Sequence, residues 1–131
     1  MYREYSSFEP PADFEKTRNA INGYIGEGVQ MGEGWLLTAE MLELIEGGVK
    51  NVVCAQPFGC LPNHIVGKGM MKTIRERHPN VNLVSIDYDS SASRINQENR
   101  LKLMLANANR QLQSTEPTPA VQNECEQPIL K

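Results

Sequence analysis

Apolar residues recur along this chain with two different periods, and the switches between them divide it into elements. From Trp35 to about Glu46, Leu36, Leu37, Met41, Leu44 and Ile45 fall at helical spacing, and Gly47 stands where a C-cap belongs. The run Asn51-Val52-Val53-Cys54-Ala55 is short, β-rich and preceded by Gly47-Gly48, which predicts a buried strand. Val66, Met70 and Ile74 then form the inward line of a helix from about Asn63 to Arg77, with Asn63 as its N-cap. Lys68, Lys72 and Arg75 lie on the other, solvated side. Pro79-Asn80 ends this helix, and Val81 to Ile86 alternates as a second strand. Ser90 or Ser93 caps a further helix to about Gln111, with Leu101, Met104, Leu105, Ala108 and Leu112 as its core face.

Strand, helix, strand is the βαβ unit of a parallel sheet. The fold class expected is therefore α/β, a small two- or three-layer Rossmann-like lobe with a short parallel sheet. Two strands are few, because parallel sheets are normally covered on both faces. That deficit predicts either a piece of a larger α/β protein or a subunit finished by a partner. Upstream, Pro10-Pro11 opens a helix to about Asn22, followed by a glycine-rich stretch from Gly23 to Gly34. This stretch follows no strand and lacks the Lys-Ser/Thr of a P-loop, so it reads as a flexible linker or a tight packing loop. Trp35 is expected to anchor the core, and Thr38 and Glu40 to face solvent. The division is residues 1–34 as N-terminal helix and linker, 35–112 as the α/β domain, and 113–131 as a disordered tail.

Composition narrows the classes of function. The 131 residues carry a formal charge of -3 and a pI near 5.4, which gives no electrostatic footprint for nucleic acid. No apolar stretch approaches a membrane span, and Met1-Tyr2-Arg3-Glu4-Tyr5 lacks a signal-peptide core, so a cytoplasmic protein is expected. Three widely spaced cysteines form neither a disulfide framework nor a zinc knuckle. They are expected as free thiols, or as cluster ligands completed by another polypeptide. Cys54 reads as a small buried hydrophobe within the strand, and Cys125 lies in the tail.

Candidate chemistry centres on residues 56–64, Gln-Pro-Phe-Gly-Cys-Leu-Pro-Asn-His. Cys60 lies between a strand end and a helix start, where ligands of open α/β sheets sit. A helix dipole there favours a thiolate, and hence metal binding or nucleophilic attack. Gln56 and Asp87 end the two strands on this same edge and can bind a ligand or cap helices. Asp89 suits an Asx turn. His64 can orient Cys60 or contact substrate, or be plain surface. Gly67 and Gly69 read as tight helix–sheet packing. Asn96, Asn99 and Arg100 form a polar cluster early in the last helix, suited to contacting a neighbouring lobe.

Five blocks in order, Gly32 to Met41, Gln56 to His64, Gly67-Lys68-Gly69, Ile86 to Asp89 and Asn96 to Leu101, resemble one family. The chain is similar, over about residues 30–108, to the C-terminal region of the large activase-related proteins of the 2-hydroxyacyl-CoA dehydratase system. The resemblance implies radical dehydration chemistry. An ATP-hydrolysing iron–sulfur activator delivers an electron to a dehydratase with a [4Fe–4S] cluster, which forms a ketyl radical of the acyl-CoA substrate. Cysteines from separate α/β lobes ligate that cluster, and Cys60 matches as one metal ligand. The chain itself has no ATPase motif and lacks two further loop cysteines. A cluster is therefore expected only in the complete assembly, with other domains or subunits as partners and no activity of the chain alone. Two other readings stand beside it: a scaffold or interaction domain without cofactor, and a small thiol enzyme using Cys60 with His64.

Overall fold

The computed structural model describes residues 10–88 and 93–113. Their elements are α1 (Phe14–Ala20), α2 (Leu36–Glu46), β1 (Asn51–Gln56), α3 (Met71–Arg77), β2 (Asn82–Asp87) and α4 (Arg94–Gln113). The expectations for Asp89, Ser90, Cys125 and the tail from 114 lie outside these residues. β1 and β2 pair in parallel, with Val52 beside Leu83, Cys54 beside Ser85 and Gln56 beside Asp87. The chain is thus a mixed helix–strand fold around a small parallel sheet, as the βαβ pattern requires.

Because strand side chains alternate, the two sheet faces are covered by different helices. On one face Val52 and Leu83 join Ile21, Ala39, Met41, Leu42, Met71 and Ile74 in the buried core. On the other, Ile86 is fully buried, and the Asn82 side chain donates to the Met104 carbonyl of α4 at 2.9 Å. α4 covers β2 alone. Val53 of β1, on that same face, is 42 % exposed, and Leu105 and Leu112 of α4 are 62 % and 68 % exposed. This corrects the expectation of both leucines as core residues. Helical spacing places them on the flank of α4 opposite Leu103 and Asn107, which line the groove at the outer edge of β2. Beyond β1 no further described strand is present for that flank to cover.

The N-terminal segment packs onto this body. Asp13 caps α1 by accepting from the Glu15 amide. Glu43 of α2 then accepts from the Ala12 amide at 2.9 Å and from the Thr17 hydroxyl at 2.7 Å. The glycine-rich stretch is a tight packing loop where Gly34 closes it: its φ is +53°, and an added Cβ would stand 2.1 Å from the Val29 carbonyl oxygen. Farther along, the Arg77 guanidinium lies over the Tyr24 ring, whose hydroxyl pairs with His78 at 2.8 Å.

The crossover helix departs from its expected form. Helical geometry begins at Leu61, widens to a π turn over Asn63–Gly67 and tightens to a 3₁₀ turn over Lys68–Met70 before α3. The buried Thr38 hydroxyl donates to the Val66 carbonyl at 2.6 Å, and an external donor on a helical carbonyl disrupts the ladder there. Thr38 is fully buried, not solvent-facing as its sequence position suggested. Gly67 adds low helix propensity and lets the helix approach β1; a Cβ there would stand 3.4 Å from Cys54 Sγ. Nor is Asn63 the N-cap. Cys60 holds that position, its carbonyl accepting from the His64 amide at 3.0 Å, because Leu61-Pro62 already belong to the first turn, where proline lacks no needed bond.

Candidate functional site

Two short devices present the cysteine loop. Gln56 ends β1, and the Cys60 amide donates to the Pro57 carbonyl at 3.2 Å to close a turn. Gly59 takes φ +78° within it, the left-handed value a type II turn needs at its third residue. Cys60 emerges half-buried at the carboxyl end of the strand, as the sequence indicated.

The sulfur of Cys60 is not alone. Asn63 Nδ2 donates to Cys60 Sγ at 3.1 Å, and Asn63 Oδ1 accepts from Cys54 Sγ at 3.4 Å. One carboxamide thus joins two free thiols. Burial pushes the Cys54 thiol above its ordinary range, and the neighbouring Cys60 adds to the shift. Cys54 therefore keeps its proton at neutral pH. Sequence reasoning treated Cys54 as filler and Asn63 as a cap, and so missed this relay. The only signal was spacing: residue 63 lies one helical turn beyond Cys60.

His64 turns toward backbone. Its Nδ1 lies 2.9 Å from the Cys60 carbonyl oxygen, which can only accept, so Nδ1 carries a proton. The exposed Phe58 ring meets the imidazole edge-on, with centroids 6.4 Å apart. No hydrogen bond joins the imidazole to the Cys60 sulfur.

Gln56 and Asp87 come together as their shared register demands. Gln56 Nε2 donates to Asp87 Oδ1 at 2.8 Å. Gln56 is 2 % exposed, and its Oε1 is buried without a hydrogen-bond partner. Such an orphaned acceptor calls for a physical explanation.

The polar cluster on α4 separates. Asn96 and Asn99 are exposed, whereas Arg100 folds back and donates to the Ser85 carbonyl at 3.0 Å. The amides of Asn82 and Tyr88 donate to the carbonyls of Lys50, just before β1, and Gln56, at its end, so the alternate residues Leu83, Ser85 and Asp87 point their carbonyls away from β1. Each of those three outward carbonyls has a side-chain donor: Arg75 on Leu83, Arg100 on Ser85, and Gln97 on Asp87 at 2.8 Å. The outer edge of β2 is thereby blunted against pairing with another strand. Asn51, Val53 and Ala55, the corresponding outward residues of β1, receive no such donor from the described residues, and all three are exposed. Arg100 is thus an edge cap within the lobe.

Among the described residues, no three His, Cys, Asp or Glu side chains converge as a metal-binding group. No described helix is long and apolar enough to cross a membrane. No family model matches the chain, and neither a curated protein nor a solved structure matches it.

Proposed function

We propose that this chain is a non-catalytic, Rossmann-like lobe of an iron–sulfur protein of the 2-hydroxyacyl-CoA dehydratase activase type. In this reading Cys60 serves as one ligand of a [4Fe–4S] cluster, or as a contact at an inter-domain interface, completed by other domains or subunits. The observation that carries it is the N–H···S bond from Asn63 to a cysteine at the carboxyl end of a parallel strand. Thiolate sulfur suits iron, and hydrogen bonds to the sulfurs tune such clusters. When bound, the cluster would supply one-electron chemistry to an acyl-CoA substrate held by the assembly. The chain's own residues fit one corner of it and no more. The uncovered face of β1 and the orphaned Gln56 oxygen support a lobe that packs against something further.

The thiol-enzyme reading loses ground on geometry. A catalytic cysteine needs a base at its sulfur and a third group to orient that base, while His64 engages the Cys60 carbonyl. The cytoplasm fits an oxygen-sensitive cluster and the free thiols of Cys54 and Cys60.

The test is anaerobic reconstitution with ferrous iron and sulfide, in excess small-molecule thiol to fill the remaining coordination positions. Bound iron and visible absorbance are compared for wild type and Cys60→Ala. Iron retained by wild type and lost from the variant is expected. Equal iron in both refutes the ligand role, and none in either shows that the lobe alone holds no cluster, so that any cluster must take its further ligands from other polypeptide segments.

A further inference from the structure

We infer that Asn63 is the positioning residue of the Cys60 sulfur. Its carboxamide sorts two neighbouring thiols, accepting from Cys54 and donating to Cys60, so that the lobe presents a single reactive sulfur. The inference rests on the reading of Cys60 as the ligand-bearing sulfur and adds the residue that selects it.

Asn63 is 8 % exposed and sits three residues into the helical run that Cys60 caps, so its side chain reaches back over the N-cap. The capping box uses the same reach, with the third helical residue serving the cap position. Here the side chain reaches the cap residue's sulfur. Gly67 forms the wall behind it: an added Cβ would lie 3.5 Å from Asn63 Oδ1. Oδ1 is directed to Cys54 at 3.4 Å, where the carboxamide offers a thiol its only acceptor, and the NH₂ group faces Cys60 at 3.1 Å.

The consequence is an asymmetry between two thiols that share one neighbour. A donor aimed at a sulfur stabilises negative charge as it develops there, during attack on an electrophile or bonding to a soft metal ion. Cys60 has that donor and Cys54 lacks it. Cys60 lies in the loop that follows β1, whereas Cys54 lies within the strand.

Alkylation of the whole chain by iodoacetamide at neutral pH, followed by mass spectrometry of each cysteine, reads this directly and requires no iron. Failure of iron reconstitution and failure of this inference are therefore separate results. In wild type, Cys60 should react about tenfold or more faster than Cys54. Asn63→Asp keeps the size of the side chain and an acceptor for Cys54 but removes the donor. Asn63→Leu removes both. Each should slow Cys60 by about tenfold, within what a hydrogen bond to a charged group is worth. Slowing in Asn63→Leu but not in Asn63→Asp would reveal packing alone and overturn the inference. An unchanged Cys60 rate in both would do the same, as would faster reaction at Cys54 in wild type. Should Asn63→Leu fail to fold by circular dichroism, Asn63→Ala, which also removes the donor without adding a charge, takes its place.

Discussion

Replacing Arg100 by methionine should expose how much the blunted edge of β2 contributes to stability. Methionine keeps an apolar stem against α4 and β2, so the change isolates the guanidinium. That group donates to the Ser85 carbonyl at 3.0 Å, and Ser85 itself is 7 % exposed. A hydrogen bond from a charged donor contributes about 1.5–3 kcal/mol when its loss leaves the acceptor unsatisfied. Arg100 is exposed along part of its length, and water can reach the carbonyl from the groove that Arg75, Arg100 and Arg110 line. The low end applies, about 1.5 kcal/mol. For a domain of this size that corresponds to a melting temperature lower by roughly 6–12 °C. Scanning calorimetry or thermal circular dichroism reads it. Arg75 serves the next outward carbonyl, Leu83, and the double variant Arg75→Met/Arg100→Met should lose about 3 kcal/mol if the two act independently. Light scattering that rises with protein concentration should accompany it, because an unpaired edge templates association. A single variant melting within about 2 °C of wild type would refute the reasoning, since water would then serve the carbonyl as well as arginine does.

Other substitutions test the packing that carries the site. Thr38→Val should cost about 1–2 kcal/mol through loss of the buried donor to Val66, while Thr38→Ser stays close to wild type in urea unfolding. Gly34→Ala should be worse, at least about 2 kcal/mol, because a left-handed φ and a backbone clash coincide; retained stability would mean the loop can relax. Cys54 sets a pH dependence. Its folded-state pKa is raised above the ordinary 9.0 by burial first and by Cys60 second. The folded state therefore holds a proton that the unfolded state releases, so stability is intact below that value and falls as pH rises past it. Cys54→Ala should flatten the alkaline limb of a stability–pH curve, and an unaltered slope would show that another group titrates there.

The element order was legible in the sequence because periodicity reports where apolar residues recur, but the faces were legible only in part. In α2, Met41 is buried as expected, while Leu44 is exposed and Thr38 and Leu42 are buried; β1 is buried on one face alone, with Val53 exposed. Val66, Ile74, Leu83 and Ile86 are buried where their spacing put them. The loop chemistry was legible in part: proline, glycine and the strand end fixed where Cys60 would emerge. Gln56 and Asp87 were placed on one edge, and parallel register made them partners.

Only the tertiary structure decided the remainder, since each such feature depends on what lies across space. Leu105 and Leu112 have perfect helical spacing but are exposed, because no described strand stands beyond β1 for that flank of α4 to cover. Thr38 has an ordinary polar identity and is buried, because the carbonyl of Val66 waits 28 residues later in the chain. Arg100 resembled a residue offered to a partner until β2 presented a carbonyl to it. Asn63 was placed one turn late, because the first helical residues, Leu61-Pro62, look like loop by composition. Its bond to Cys54 depends on how closely a helix with glycine at position 67 can approach a strand. Local pattern fixed which residues could be inside; three-dimensional contact fixed which polar groups found each other there.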